Sequence, residues 1–259
     1  RADAPGPAPS IPAPPFFGSR VLGSIAPESL FPLLDETVLF KARWGFRRGA
    51  LPTGEFDALI TREAKPALTR MKERLLSNRV LAPRAVYGYW PCAADGDGLI
   101  IYEPDDPSRQ AARFHFPRQS REPGRSIADY FLSAGGAPDV IALQAVTIGP
   151  GLDALVHGLY DIGAYRDSLF YHGFGVELAE ALAVWMNGVI RKELGAAQGG
   201  LRYSFGYPPC PEMEDNRTLL NLLGADRIGI ETVESGGMVP EQSTSAFFVH
   251  HPQARYFTV

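Results

Sequence analysis

The chain has 259 residues, 45% of them apolar, and a formal charge of −4. That suffices for one large core or two modest ones, and the overall charge gives no sign of a nucleic-acid partner. Its two cysteines, Cys92 and Cys210, are too few for a disulfide framework and favour a reducing, cytoplasmic setting; no uninterrupted apolar run approaches the roughly 20 residues needed to span a membrane.

The chain opens with RADAPGPAPSIPAPP, six prolines in fifteen residues. This composition reads as an extended linker over residues 1–16, leaving 17–259 as a single domain. ESLFPLLDETVLFK at 28–41 reads as a helix with an early Pro32. Residues 55–77 carry Phe56, Ile60, Ala64, Ala67, Met71 and Leu75 at helical spacing, with Pro66 kinking or splitting the run. From Lys41 to Arg84, eleven basic residues face four acids, an asymmetry that suggests a face for an acidic partner or a solvated helix of mixed charge. PRAVYGYWPCA at 83–93 reads as a strand, ADGDG as a hairpin turn, LIIYE at 99–103 as its return, and ARFHFPR at 112–118 as a third strand. SIADYFLS at 126–133 reads as a short Ser-capped helix. PDVIALQAVTIG at 138–149 reads as a buried strand. Helical patterning runs from Leu152 to Leu194 and stops at GAAQGG. RTLLNLL at 217–223 reads as a short helix, and STSAFFVHHPQARYFTV at 243–259 as a closing hairpin turned at HPQA. Helices and hairpins in runs argue for an α+β fold with a largely antiparallel sheet.

Several stretches invite a chemical reading. GPGLDA after the strand VIALQAVTIG formally matches a dinucleotide-binding glycine fingerprint. That fold needs a second strand with an acid about 20 residues on, whereas ALVHGLYDIGAYRDSLFYHGFG looks helical, so a tight strand-to-helix turn is the better reading. Glu177 and Glu180 are three apart on one helix. Glu180 lies among alanines and needs a partner if buried; otherwise it faces water. Asp35 in LLDET is a lone acid after an apolar run, open to an ammonium group or to solvent. RYSFGYPPCP at 202–211 sets Arg202 and aromatic rings on a stiff, proline-rich loop, suited to a binding surface or to a plain turn. Tyr256 and Phe257, as neighbours on a strand, would point to opposite faces. The scattered histidines and lone cysteines make no metal-binding motif.

Three runs in order, VELAEALA, RYSFGYPPCPE and MVPEQSTSAFFVHHPQARYF, are together similar to the C-terminal activation domain of cobalamin-dependent methionine synthase. The strand QAVTIG, the hairpin YGYWPCAADGDGLIIYE and the SIADYF helix fit the same pattern, which covers nearly the whole chain after the linker. The resemblance implies a C-shaped α+β domain that binds S-adenosylmethionine and supports reductive methylation of oxidised cobalamin, with an electron from flavodoxin or a similar acidic donor. It implies that cobalamin is held mainly by a neighbouring domain of the same parent chain, and that the isolated domain does not catalyse methyl transfer alone. Carried over, Asp35 pairs with the ligand's ammonium, Arg202 with its carboxylate, and Glu180 lies near its cationic end. The backbone at Ser204 meets adenine, Tyr256 and Phe257 flank the ligand, and Tyr207 approaches the corrin. Arg47 and Arg48, in the basic segment, are candidates for docking the reductant. The chain departs from the family pattern at Met213, Gln198 and Ala246. Two other readings are a stand-alone reactivation or adapter module that does not itself use S-adenosylmethionine, and an ordinary methyltransferase, which would need a parallel sheet.

Overall fold

A computed structural model describes residues 8, 10–122, 124–196 and 199–259. Much of the proline-rich stretch assigned to a linker (residues 1–7 and 9) lies outside the described residues, as does Gln198. The main sheet is built on β2 (Arg84–Asp95) and β5 (Asp139–Thr147), paired antiparallel from Arg84↔Thr147 to Cys92↔Asp139. β1 (Gly18–Leu22) and β3 (Gly98–Glu103) share the other edge of β2, the first opposite residues 85–89 and the second opposite residues 92–95. Pro91 falls in the gap between them, where that edge asks no ladder hydrogen bond of it. β4 (Asp106–His115) extends the sheet beyond β3. On the far side come β9 (Ser243–Val249) and the edge strand β6 (Leu201–Tyr203), while β7 (Glu231–Thr232) and β8 (Met238–Val239) pair with each other in a separate ribbon. All these ladders are antiparallel, which settles the glycine fingerprint at 149–151 as a strand-to-helix turn rather than a dinucleotide cradle.

β5 is buried at all nine positions, because helices and loops cover both faces of the sheet, as its unbroken apolar run anticipates. Val140, Ala142 and Val146 face one core; Ile141, Leu143 and Ala145 face the other. The first core is closed by α3 (Lys65–Ser77), α4 (Pro150–Asp161) and the long α5 (Tyr165–Glu193). The second is closed by α6 (Asp215–Leu223) and by a cluster of Phe114, Phe116, Phe205 and Phe247 with ring centroids 5.2–6.3 Å apart. α5 has the length and apolar composition of a membrane span, but most of its apolar window is buried inside the protein, so it is a core helix. Its last turn is tied to β2 through Glu193, which accepts from Tyr87 at 3.0 Å and Tyr89 at 2.7 Å.

The N-terminal helical region is more broken than its apolar spacing predicts. Residues 28–41 form a 3-10 helix (Pro27–Leu33) and a separate turn, α1 (Glu36–Val38), which runs into a π turn at Leu39–Arg43. The break falls where Asp35 takes the cap position and its carboxylate accepts from Val38 N at 2.9 Å, the local competition with helix that favours Asp at caps. The expected kink near Pro66 takes a specific form: α2 (Thr53–Leu59) joins α3 through a π turn at Ile60–Ala64. The widened turn absorbs the ring's demand on the preceding carbonyls. The 126–133 helix is a single 3-10 turn, Ile127–Tyr130, with a Ser126–Asp129 capping box. The expected closing hairpin is absent. After β9 the chain turns at 251–254 and continues to Val259 without strand pairing, because β9 already has β5 and β6 on its two edges.

Gly88 sets how closely β1 approaches β2: a Cβ there would lie 1.9 Å from the Gly18 carbonyl oxygen. Gly88→Ala is expected to lose about 1–3 kcal/mol of stability in urea unfolding. Amide exchange should accelerate at residues 18–22.

Candidate functional site

The site follows from the register of the edge strand. Arg202 pairs with Phe248 and Tyr203 with Phe247. Phe248 belongs to the α5-side core and Phe247 to the other. Side chains alternate along a strand, so Arg202 faces α5. Glu180 waits there, and its Oε2 accepts from Arg202 Nη2 at 2.8 Å. The second guanidinium nitrogen, Nη1, is buried and has no hydrogen-bond partner among the described residues. A planar fork made for two parallel bonds thus uses one arm.

The remainder of RYSFGYPPCP is held by backbone and short side-chain bonds. Ser204 Oγ donates to Ser245 O at 2.8 Å and Cys210 Sγ to Ser204 O at 3.0 Å. Gly206 N bonds Cys210 O and Cys210 N bonds Tyr207 O, both at 2.9 Å, so residues 206–210 close into a small loop that turns Tyr207 outward, 55% exposed. Tyr203 OH donates to Arg255 O at 2.7 Å and its ring stacks on Tyr256 with centroids 6.4 Å apart. Tyr256 remains 53% exposed while Phe257 packs on the second core. The two rings differ in exposure but do not take opposite faces of the sheet: no strand forms here, and both lie against the second core, Tyr256 through Tyr203. Burial, with Cys210 and Tyr207 close by, raises the Tyr256 phenol, and burial pushes the Cys210 thiol up to about 12.

The structure thus joins Glu180 to Arg202, and joins Ser204, Tyr207, Tyr256 and Phe257 around the same loop. Asp35 stands apart: its described contact is the cap bond to Val38, on a segment seated against α5 through Phe31 and Phe174 (ring centroids 6.2 Å apart). Arg47 and Arg48 are exposed and line a cleft of about 610 Å³ whose apolar lining includes Phe40, Phe46, Phe56 and Ile60. Glu177, three residues before Glu180, is taken by Arg43 at 2.8 Å.

Two contributors escaped the sequence reading. Gln144 donates to Ala183 O at 3.1 Å, and its Oε1 is buried without a partner among the described residues. Its signal was a single amide within the apolar run VIALQAVTIG. Arg191 donates to Gly199 O at 2.5 Å and Gly200 O at 2.9 Å, with its guanidinium 4.8 Å from the Phe248 ring centroid. It shapes the approach to Arg202, and nothing in the sequence separates it from an ordinary helix-ending arginine. Among the described residues no group of three or more His, Cys, Asp or Glu could hold a metal ion.

An antiparallel α+β domain with an arginine–glutamate pair between its edge strand and longest helix, beside an aromatic-bearing loop, has the makings of a polar-ligand module. Residues 28–259 match the family described as vitamin B12 dependent methionine synthase, activation domain, and the chain belongs to that family. It is 38% identical over 279 aligned positions to methionine synthase of Mycobacterium tuberculosis (strain ATCC 25618 / H37Rv), and equally so to that of Mycobacterium leprae (strain TN). Each alignment covers 96% of this chain and 23% of the relative, so the chain spans under a quarter of those proteins' length. Among solved structures it is similar to the MetH reactivation domain bound to AdoHcy, with a TM-score of 0.83 and 25% identity over 96% of this chain and 83% of that one. The resemblance drawn from the sequence runs is thereby shown.

Asp215, at the start of α6 just after the loop, gives a pH handle. Burial, reinforced by the Glu212 charge, raises its carboxyl to about 6, against about 3.9 for an unperturbed aspartate. The folded state then holds the proton over a range in which the unfolded chain has released it, so this group makes stability fall as pH rises from about 4 to about 6. Asp215→Asn is expected to flatten that slope in thermal melts between pH 4.5 and 7.5. At pH 7 the gain should be on the order of 1 kcal/mol, discounted for the group's partial exposure.

Proposed function

We propose that this domain binds S-adenosylmethionine and serves the reductive reactivation of cobalamin within a parent methionine synthase. The observation that supports it most is the chain-wide likeness to a reactivation domain whose structure was solved with AdoHcy. The residues here fit such a ligand. Arg202 has an unpartnered, buried Nη1 to offer a carboxylate. Glu180 supplies an acid for the ligand's cationic end, the exposed Tyr256 ring supplies a face for adenine or a cation, and Asp35, which caps a separate turn, is assigned to the ammonium by the family resemblance alone. The backbone at Ser204 and the Phe257 ring complete the adenine side. When bound, S-adenosylmethionine supplies a sulfonium methyl, and cobalamin held by another domain of the parent chain supplies the metal that accepts it. This chain's own part is to bind, orient and shield. Tyr207, turned outward on a loop stiffened by Pro208 and Pro209, is the residue offered to the corrin.

The electron for reactivation comes, on this reading, from flavodoxin or a similar acidic protein. The cleft bordered by Arg47, Arg48, Lys41 and Lys65 over an apolar floor supports docking of such a partner.

Titration calorimetry of the isolated domain with S-adenosylmethionine tests the ligand reading. Arg202→Ala is expected to weaken binding at least about tenfold, since a charge-assisted pair contributes roughly 1.5–3 kcal/mol. An absence of heat with the wild-type domain would refute it. In the full-length synthase, the double variant Arg47→Glu/Arg48→Glu is expected to slow flavodoxin-driven reactivation and to weaken its dependence on ionic strength. Unchanged rates across salt would remove the docking assignment while leaving ligand binding intact.

A further inference from the structure

The geometry points to Arg191, in the last turn of α5, as a positioning residue that aims Arg202 at a ligand carboxylate. This inference rests on the proposed function and adds to it a residue that acts through Arg202 rather than on the ligand.

β6 is three residues long, and Arg202 is the middle one. Its two ends are held by different means. At the far end, Tyr203 OH donates to Arg255 O at 2.7 Å, the Tyr203 ring stacks on Phe247 with centroids 5.7 Å apart, and Ser204 Oγ donates to Ser245 O at 2.8 Å. These contacts fasten the loop that follows. The near end is preceded by Gly199 and Gly200, with φ of +89° and +73°. Glycine allows that backbone but brings no side chain to hold it. Arg191 supplies the hold. Its Nη1 donates to Gly199 O at 2.5 Å and its Nη2 to Gly200 O at 2.9 Å, so both arms of a planar fork grip consecutive carbonyls.

The same guanidinium lies 4.8 Å from the centroid of the Phe248 ring, and Phe248 is the residue opposite Arg202 in the ladder. The turn is pressed onto that ring: a Cβ at Gly200 would lie 2.4 Å from Phe248 Cζ and 2.8 Å from Val249 O. Arg191, Gly200 and Phe248 thus form one packed unit, and Arg202 leaves the backbone two residues beyond the glycine. Without Arg191, the near end of β6 is left to the Leu201↔Val249 pairing, and a short edge strand frays from an end that nothing holds. Fraying there turns the Cα–Cβ bond of Arg202, and on so long a side chain a small turn at the base becomes a large displacement at the tip. Two-bond recognition of a carboxylate needs the plane of the fork as well as its charge. The single contact from Nη2 to Glu180 fixes one arm and leaves the plane free. Arg191 does not compete for the carboxylate itself, because its described hydrogen bonds all go to backbone carbonyls, those of Ala196, Gly199 and Gly200.

Arg191→Met keeps an apolar stem against Phe248 and removes both donors. In calorimetry on this domain it is expected to weaken binding of S-adenosylmethionine by about tenfold, with thermal melts confirming that the variant is folded. 5′-Methylthioadenosine, which has no carboxylate, should bind Arg191→Met within about twofold of wild type, because the loop from Tyr203 onward keeps its own bonds. A general loosening of the site would weaken both ligands alike. The deciding comparison is a double-mutant cycle: in the Arg202→Ala background, Arg191→Met should cost less than about twofold, since the arginine it aims is gone. Should Arg191→Met melt too low to assay, Arg191→Lys, which keeps the charge but not the two-armed fork, carries the same cycle. Equal weakening of the two ligands, losses that multiply in the double variant, or an unchanged affinity for S-adenosylmethionine overturns the inference. A wild-type domain that binds no S-adenosylmethionine overturns the ligand reading itself, and this inference with it.

Discussion

The close packing of α5 on the sheet is the constraint from which the site follows. Small residues make it possible: Ala179 and Ala183 lie in the core between helix and strands, where Leu178, Leu182 and Met186 fill the remaining volume. The helix comes near enough for Gln144, at the middle of β5, to reach the carbonyl of Ala183. A larger side chain at 179 or 183 would lift α5 away, with the cost of an overpacked core. It would also draw Glu180 back from the edge strand. The ion pair at Arg202 is thus a consequence of how the interior packs, set by residues that carry no charge.

The same helix shows how depth separates two acids of identical chemistry. Glu177 is buried and locked to Arg43, next to the stacked Trp44 and Phe170 rings (centroids 4.5 Å apart). It fastens the N-terminal helical region to α5. Glu180, one turn further on and more open, meets a strand at the margin of the sheet. A deeply buried pair resists loss of either member, whereas a half-open pair can trade partners. Three residues along one helix separate a buried fastening from a half-open pair at the sheet margin.

Most of the sheet could be read directly. β2, β3 and β5 announce themselves through apolar runs and the Asp-Gly turn, and the antiparallel class follows from their order. The elements that were missed or misjudged are those whose form depends on distant neighbours. β1 and the three-residue β6 have too little sequence to declare a period; they are strands because β2 and β9 offer them an edge. The closing segment has the composition of a strand, yet no edge is left for it. In the site, Arg202 and the proline-rich loop stood out by composition. The pairing of Arg202 with Glu180 did not, because it depends on strand register across 22 residues of separation. The role of Asp35 as a helix cap hinged on a break that apolar spacing alone does not reveal.

On the proposed reading, in which the ligand is a sulfonium compound, the burial of Cys210 has a chemical meaning. Such compounds alkylate thiolates, and Cys210 sits in the loop that follows Arg202. Its sulfur donates to the Ser204 carbonyl, and with the thiol pushed up to about 12 only on the order of one molecule in a hundred thousand carries the reactive anion at neutral pH. The loop can therefore keep a small, well-packed sulfur without exposing the domain to self-inflicted methylation.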